Sequence, residues 1–260
     1  MTLRGIPRVR RALIFAVALL LPAALRAETI ELAYPEEDGV EQSPGHFAFD
    51  FLRAAQMVAE DSGLTVRWVP LPMGRLTRSI QQEQPDFCIA GAGITPEREK
   101  IAKFSAPFFE DRMMAVIALP SHRATLNKAH SLEELIASGD TTFLGYVGMN
   151  YGNQVSAQVE KLGSRMETSP RNTAQLLDML KRGRADFAFL PNQYAVNYLA
   201  LRPDHDQFMV RVYPDMHRDF HTAFMCSKQV PDSVIAKLDE AIRRQQPLIE
   251  ARFGDLAQAK

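Results

Sequence analysis

Residues 91–100 read GAGITPEREK, and this stretch joins the end of a strand to the start of a helix. The preceding residues 86–90 read DFCIA, a short apolar run typical of a buried strand. Thr95 is a favourable N-cap, and Pro96 suits the first helical position. Arg98 then lies in the first turn, where its guanidinium either faces solvent or binds a carboxylate. The spacing leaves both alternatives open.

Strand and helix patterns alternate upstream of this turn. TIELAYP (29–35) and TVRWVPLP (65–72) each read as a strand. Between them, apolar residues recur at helical spacing up to Gly63, a natural residue to follow a helix. A second amphipathic segment, GRLTRSIQQEQ, leads to the strand before residue 91. This order predicts an α/β unit with a parallel sheet.

The downstream half has the same organisation. FSAPFFEDRMMAVIALP (104–120) predicts one long extended stretch. Later, RADFAFLP (184–191) follows a helical segment in the way that DFCIAGAG does. HTAFMCSKQ (221–229) is a second extended stretch, and we expect the helical tail after it to break or kink at Pro247. Two similar units joined by two extended crossings predict a ligand cleft between two lobes.

Residues 1–27 read as a secretory signal peptide. Their basic start contains Arg4, Arg8, Arg10 and Arg11. The apolar run 12–25 has 14 residues, fewer than the roughly 18 that indicate a membrane-spanning helix. A small residue, Ala27, precedes the change to acidic composition at Glu28. We therefore expect export to the periplasm.

The charge balance argues against nucleic acid as a partner. Without the five arginines of residues 1–27, the 30 basic residues fall to 25 against 31 acidic residues, a net charge of −6. A mildly acidic surface disfavours non-specific binding to nucleic acid or anionic membranes. We expect a soluble monomer whose ligand is a small molecule.

Two cysteines, Cys88 and Cys226, each lie in an apolar run. Export permits a disulfide, but a thiol in such a run also behaves as a small buried hydrophobe. We favour two buried thiols and leave the disulfide open. The topology predicts that the two runs are antiparallel neighbours in lobe one.

Three segments carry a resemblance to a known family: GHFAFDFL, PDFCIAGAGITPERE and KFSAPFF. Together they resemble the extracellular solute-binding protein family 3, the periplasmic amino-acid-binding proteins of ABC importers. The resemblance implies the two-lobed type II periplasmic binding protein fold, with the ligand cleft between the lobes. Lobe one is then expected at 28–112 and 220–260, and lobe two at 113–219.

By this resemblance, Arg98 is the residue that holds the ligand carboxylate. Gly91 and Gly93 stand where relatives often have hydroxyl side chains, so only backbone amides remain there for the ligand. On lobe two, the helix-opening turn GYVGMNYGN implies a second anion contact from Asn150. The alternative for Asn150 is a helix cap alone.

Four further residues match ligand-contact positions of the family. Tyr34 and Phe47 occupy positions where relatives place rings over the ligand, although Phe47 equally suits a packing role beside its helix. Met73 matches a contact from lobe one. Arg75 is either a second anion contact or a surface residue.

The chain departs from the family after RADFAF. Many relatives have an acidic residue there that pairs with the ligand ammonium, whereas this chain has LPNQY (190–194). A buried ammonium without a partner is costly. Either Glu36, Glu37 or Asp38 supplies the charge, or the ligand is not a simple α-amino acid.

The resulting expectation is a binding protein rather than an enzyme, without a cofactor or a metal. His217 and His221 have a spacing that suits a metal on a helix, but they lead into an extended segment. The expected ligand is a small carboxylate-bearing solute, an amino acid or a related organic acid, delivered to an inner-membrane ABC permease. The alternatives are a sensory binding protein for a signalling partner such as a sensor kinase, or a dehydratase-like enzyme on the same fold.

Overall fold

The structure is a computed structural model that describes residues 28–37, 43–82, 84–110, 113–146, 149, 151–168, 170, 172–217 and 221–253. The signal peptide predicted at residues 1–27 lies outside these ranges. Within them, the helices are all too short or too polar to cross a membrane.

The first sheet contains strands from both ends of the chain. In spatial order these are β2 (Thr65–Leu71), β1 (Thr29–Pro35), β3 (Phe87–Gly93), β11 (His221–Ser227) and β4 (Ala102–Phe104), and β5 (Phe109–Glu110) also pairs with β11. β1 is parallel to both β2 and β3, as the alternating pattern predicts. β11 is antiparallel to β3, because it enters the sheet from the opposite lobe. The sheet is therefore mixed rather than purely parallel.

The second sheet is built from the middle of the chain. Its order is β10 (Met209–Arg211), β6 (Met114–Ala118), β9 (Phe187–Pro191), β7 (Phe143–Leu144) and β8 (Met166–Glu167). β6 and β9 are antiparallel, whereas β7 is parallel to β9 and β8. β3 and β9 each begin at the Phe of an Asp-Phe pair, and each is the central strand of its sheet. The chain thus has a mixed α/β fold built around two sheets, as the sequence predicts.

Helices cover the faces of both sheets. They are α1 (Asp50–Asp61), α2 (Met73–Ile80), α3 (Pro96–Glu99), α4 (Arg123–Lys128), α5 (Leu132–Ala137), α6 (Asn153–Glu160), α7 (Thr173–Lys181), α8 (Asn192–Ala200) and α9 (Asp232–Phe253). The sequence does not predict α4 or α8. Of the predicted break or kink at Pro247, the break is wrong, since α9 continues through that residue. Pro247 is exposed, so water can satisfy the carbonyl that its missing N–H leaves unbonded.

The segment 104–120 is divided rather than extended throughout. Ser105 and Phe108 fasten it to β11: Phe224 N donates to Ser105 Oγ over 3.0 Å, and Phe108 N donates to Thr222 O over 2.9 Å. The rings of Phe108 and Phe224 lie 4.7 Å apart. Because Pro107 has no N–H to donate, the ladder is interrupted there, and the stretch predicted as extended forms the separate strands β4, β5 and β6.

A disulfide joins Cys88 of β3 to Cys226 of β11, with an S–S distance of 2.04 Å. The predicted antiparallel pairing of these strands is confirmed, and the two cysteines are partners in its register. Side chains directly opposite one another point to the same face, which brings the two sulfurs together. The preference for two buried thiols is therefore wrong.

Removing the disulfide is expected to destabilise the protein. The bridge joins positions separated by 138 residues, so the Cys88→Ala/Cys226→Ala double variant is expected to lose about 2–4 kcal/mol of unfolding free energy. Urea unfolding with and without dithiothreitol measures this. Reductant should lower the midpoint of the wild type and leave the double variant unchanged, and an equal response of both proteins contradicts the prediction.

Candidate functional site

Arg98 lies at the carboxyl end of β3, on the one-turn helix α3. The predicted cap is present, since Arg98 N donates to Thr95 Oγ1 over 3.2 Å. The side chain folds back, and Nη1 donates to the carbonyl oxygen of Gly93 over 3.0 Å. Burial lowers the pKa of the guanidinium, but arginine remains protonated at neutral pH. A half-buried positive charge is thus held at the end of a central strand.

A helix of four residues contributes little dipole, so attraction of an anion to this place rests on the guanidinium itself.

Gly91 has a packing explanation of its own. Its φ is +101°, and a Cβ at this position would meet Phe51 Cδ2 at 2.6 Å. The register between β3 and β11 shifts at this point, so Gly91 is the extra residue of a β-bulge. Gly93 pairs with Thr222, and its carbonyl anchors Arg98. Both glycines therefore shape the strand end that holds Arg98.

Tyr34 and Phe47 belong to an aromatic cluster together with Trp68. The Phe47 ring lies 5.1 Å from Tyr34 and 4.9 Å from Trp68. Tyr34 is 4 % exposed and Phe47 3 % exposed, so both rings are core residues in this arrangement. Burial raises the pKa of Tyr34, and the nearby Glu36 charge adds to the effect. The rings support the wall of lobe one at the end of β1.

Met73 and Arg75 lie on α2 and differ in burial. Met73 opens the helix and is partly buried against the core of the first lobe. Arg75 is exposed. Asn150 falls outside the described residues, but the helix that follows it, α6, begins at Asn153 after the left-handed Gly152.

Glu37 connects the two lobes. It lies two residues after β1 and is 6 % exposed. Thr173 N, at the start of α7, donates to Glu37 Oε2 over 3.0 Å, and Thr173 Oγ1 donates to Oε1 over 3.1 Å. The Tyr194 hydroxyl also donates to Oε1. Of the three acids considered for the first loop, Glu37 is buried at the junction, Glu36 is exposed, and Asp38 lies outside the described residues.

Two tyrosines complete this polar group. The Tyr146 hydroxyl lies 2.8 Å from Thr173 Oγ1, and the Tyr194 hydroxyl lies 3.0 Å from the same atom. Burial, followed by the Glu37 charge, raises the pKa of both tyrosines well above the usual value. Both remain neutral at physiological pH, so Tyr194 can donate to the carboxylate and Tyr146 can donate to Thr173 Oγ1. We call Glu37, Tyr146, Thr173 and Tyr194 the interlobe cluster.

A second contact between the lobes involves Asp50, the first residue of α1. Its Oδ2 accepts from Gln193 Nε2 over 2.9 Å and from Asn197 Nδ2 over 3.1 Å, both on α8. Beside it, the rings of Phe49 and Tyr194 stack with centroids 4.0 Å apart. The LPNQY segment lacks the acid that many members of the family have at this position. It contacts lobe one through Gln193 and Tyr194 instead.

A surface groove of about 660 Å³ includes Phe47 but neither Arg98 nor Glu37. Its lining residues are Gly45, His46, Phe47, Ala48, Arg53, Gln56, Met57, Glu60, Leu201 and Arg252. The buried Glu37 and the anchored Arg98 both lie outside this groove. We therefore place the candidate site at the ends of β1 and β3, facing α7 and α8.

The two histidines considered for a metal site have separate partners. His221 is in β11 with Nδ1 3.4 Å from Glu110, and His217 forms an isolated bridge with Met113. Across the part of the chain that the structure describes, no three His, Cys, Asp or Glu side chains gather in a way that suits a metal ion.

The fold agrees with the comparisons with known proteins. Residues 47–144 match the sequence model of the bacterial extracellular solute-binding proteins, family 3. The resemblance read from the sequence is thereby confirmed.

Individual proteins with similarity to the chain include two solved structures that share its fold. An ancestral arginine-binding protein bound to glutamine has a TM-score of 0.66 at 19 % identity, over 87 % of this chain and 98 % of that one. An amino acid ABC transporter substrate-binding protein from Streptococcus pneumoniae, bound to L-arginine, has a TM-score of 0.65 at 15 % identity, over 87 % and 93 %. Among curated proteins, a cyclohexadienyl dehydratase from Pseudomonas aeruginosa is 26 % identical over 219 residues, which are 78 % of this chain and 77 % of that protein.

The Asp50 contact gives a stability prediction. Replacing Asp50 by Ala removes the acceptor for two amides of lobe two, and we expect a loss of about 1–3 kcal/mol in unfolding free energy. The control is Asp140→Ala, at an exposed position, with an expected change of about 0.5 kcal/mol or less. Urea unfolding compares the two variants, and equal midpoints would show that Asp50 contributes nothing to the fold.

Proposed function

We propose that this protein is a periplasmic solute-binding protein that captures a small carboxylate-bearing ligand, an amino acid or a related organic acid. Residues 1–27 direct its export. Residues 28–112 and 220–260 form lobe one, and residues 113–219 form lobe two. The ligand lies between the lobes, in contact with Arg98, Gly91 and Gly93.

The observation that carries this proposal is the half-buried guanidinium of Arg98, anchored at the end of β3 by the Gly93 carbonyl. Anchoring one nitrogen fixes the plane of the guanidinium, and a fixed fork suits bidentate binding of a carboxylate. The arginine- and glutamine-bound relatives support amino acids as the first ligands to test.

Closure of the cleft is the conformational change that ligand binding produces. The ligand carboxylate bridges Arg98 on lobe one and the turn before α6, with Asn150, on lobe two. Tyr34, Phe47, Met73 and Arg75 shape the lobe-one side. A ligand that contacts both lobes binds the closed form more tightly and shifts the population towards it.

The closed form is the species that a membrane partner recognises. An ABC permease is the partner suggested by the similarity to an amino acid ABC transporter substrate-binding protein, and a sensor kinase is the alternative. The protein acts as a monomer and binds its ligand without a cofactor or a metal.

A dehydratase activity is the second candidate, favoured by the similarity to the cyclohexadienyl dehydratase and by the buried acid Glu37. The two functions are distinguished by incubating the protein with a substrate of that enzyme and following product formation by absorbance. A pure binding protein gives no product above the buffer rate, whereas turnover that depends on Glu37 establishes the enzyme instead.

Arg98→Ala is expected to weaken binding of the carboxylate ligand by about 100-fold or more, because it removes a desolvated charge partner. Loss of the Arg98–Gly93 hydrogen bond at this half-buried position should change the unfolding free energy of the free protein by about 1 kcal/mol.

Isothermal titration calorimetry measures binding, after a thermal-shift screen of amino acids and small organic acids has identified the ligand. The matched control is Arg78→Ala, an exposed arginine on α2, which should bind as the wild type does. If Arg98→Ala retains wild-type affinity, Arg98 does not hold the carboxylate and the proposal loses its main support.

A further inference from the structure

The ring of Phe51 occupies the space beside the Gly91 bulge. A Cβ at Gly91 would lie 2.6 Å from Phe51 Cδ2, 3.0 Å from Phe51 Cε2 and 3.2 Å from Thr222 Cγ2. The edge of the ring and the threonine methyl group therefore flank the backbone of this glycine. Phe51 is half-buried and packs against the hydrophobic core, and no motif of the sequence predicts it as a site residue.

The backbone at Gly91 depends on such packing for a fixed conformation. The extra residue of a bulge is left unpaired in the ladder of hydrogen bonds, and glycine has the widest choice of backbone conformations. Gly93, two residues further on, supplies the carbonyl that accepts from Arg98 Nη1 over 3.0 Å. A shift of the backbone at Gly91 therefore moves the group that anchors the guanidinium.

Phe51 is itself held by aromatic contacts that extend to lobe two. Its ring centroid lies 6.2 Å from that of Phe49, with an interplanar angle of 18°. Phe49 is fully buried and stacks on Tyr194 of α8, with ring centroids 4.0 Å apart. Close-packed side chains interdigitate in low-energy rotamers, so the Phe51 ring has a defined place at the start of α1.

We propose that Phe51 is a positioning residue for the carboxylate-binding site: its ring holds the Gly91 bulge, and the bulge holds the strand end that anchors Arg98. This inference rests on the proposed function for its ligand. The effect of Phe51 on the strand end does not depend on any ligand and can be tested alone. A ring that acts in this way contributes to affinity through the ligand carboxylate rather than through the rest of the ligand.

The first experiment measures hydrogen exchange by NMR in the ligand-free protein. Ile94 N, directly after β3, donates to His221 O over 3.2 Å, whereas Ile89 lies where β3 is paired on both sides. The ratio of the two exchange rates separates loosening of the strand end from a change in global stability. Phe51→Ala should raise the ratio of Ile94 to Ile89 by about tenfold or more. The control Met57→Ala, at another partly buried position of α1, should leave it unchanged.

An unchanged ratio in Phe51→Ala, or an equal rise in both variants, would overturn the proposal. If Phe51→Ala does not fold, Phe51→Leu lacks the ring edge but keeps much of the volume, and it should raise the ratio by a smaller factor. A wild-type ratio in Phe51→Leu would then overturn the proposal.

The second experiment measures by calorimetry how much the ligand carboxylate contributes to affinity. The probes are L-arginine and L-argininamide, in which an amide replaces the carboxylate. The wild type should bind L-arginine about 100-fold more tightly than the amide. Phe51→Ala should reduce this preference by about tenfold or more, because a guanidinium that can move loses the geometry for bidentate binding. Met57→Ala should keep the wild-type preference.

An equal loss of affinity for both probes in Phe51→Ala would show a purely structural role and refute the positioning of Arg98, as would an unchanged preference. If L-arginine does not bind the wild type, this amino acid is not the ligand, and the exchange ratio alone decides whether Phe51 holds the strand end. If L-arginine binds but Arg98→Ala binds it equally well, the proposed function fails at Arg98, while the exchange result for Phe51 stands independently.

Discussion

The antiparallel pairing of β11 with β3 is the constraint on which the rest of the molecule depends. It returns the chain to the first sheet after the whole second sheet has been made, and the disulfide between Cys88 and Cys226 fixes that return. The chain must therefore cross between the lobes twice. Two crossings leave the lobes facing each other across a cleft, with the carboxyl ends of β1 and β3 at its edge.

The same pairing explains the local geometry around Arg98. The register shift opposite Ala223 and Phe224 requires an extra residue in β3, and Gly91 supplies it in a conformation that other residues rarely adopt. The strand then ends at Gly93, whose carbonyl holds the guanidinium. Arg98 is thus positioned by the sheet more than by its short helix.

Much of the fold could be predicted from the sequence because it depends on residue patterns that are local in the chain. Short segments rich in apolar residues predicted β1, β2, β3 and β9, and Thr95 caps its helix as expected. The prediction was less accurate for segments whose structure depends on residues distant in the chain or on exposure to solvent. The FSAPFF segment is divided because it is fastened to β11, and α9 continues through Pro247 because that residue faces water.

The sequence by itself determined the α/β class, the family resemblance and the choice of Arg98 as the anion-binding candidate, because each depends on residue types at short spacing. It also limited the acid of the first loop to three candidates. Only the tertiary structure decided that Glu37 is buried, that Thr173, Tyr146 and Tyr194 surround it, and that Asp50 meets α8. The contacts of Glu37 with Thr173 and Tyr194, and of Asp50 with Gln193, join residues more than a hundred positions apart. No local pattern specifies such pairs, since they exist only after the two lobes have met.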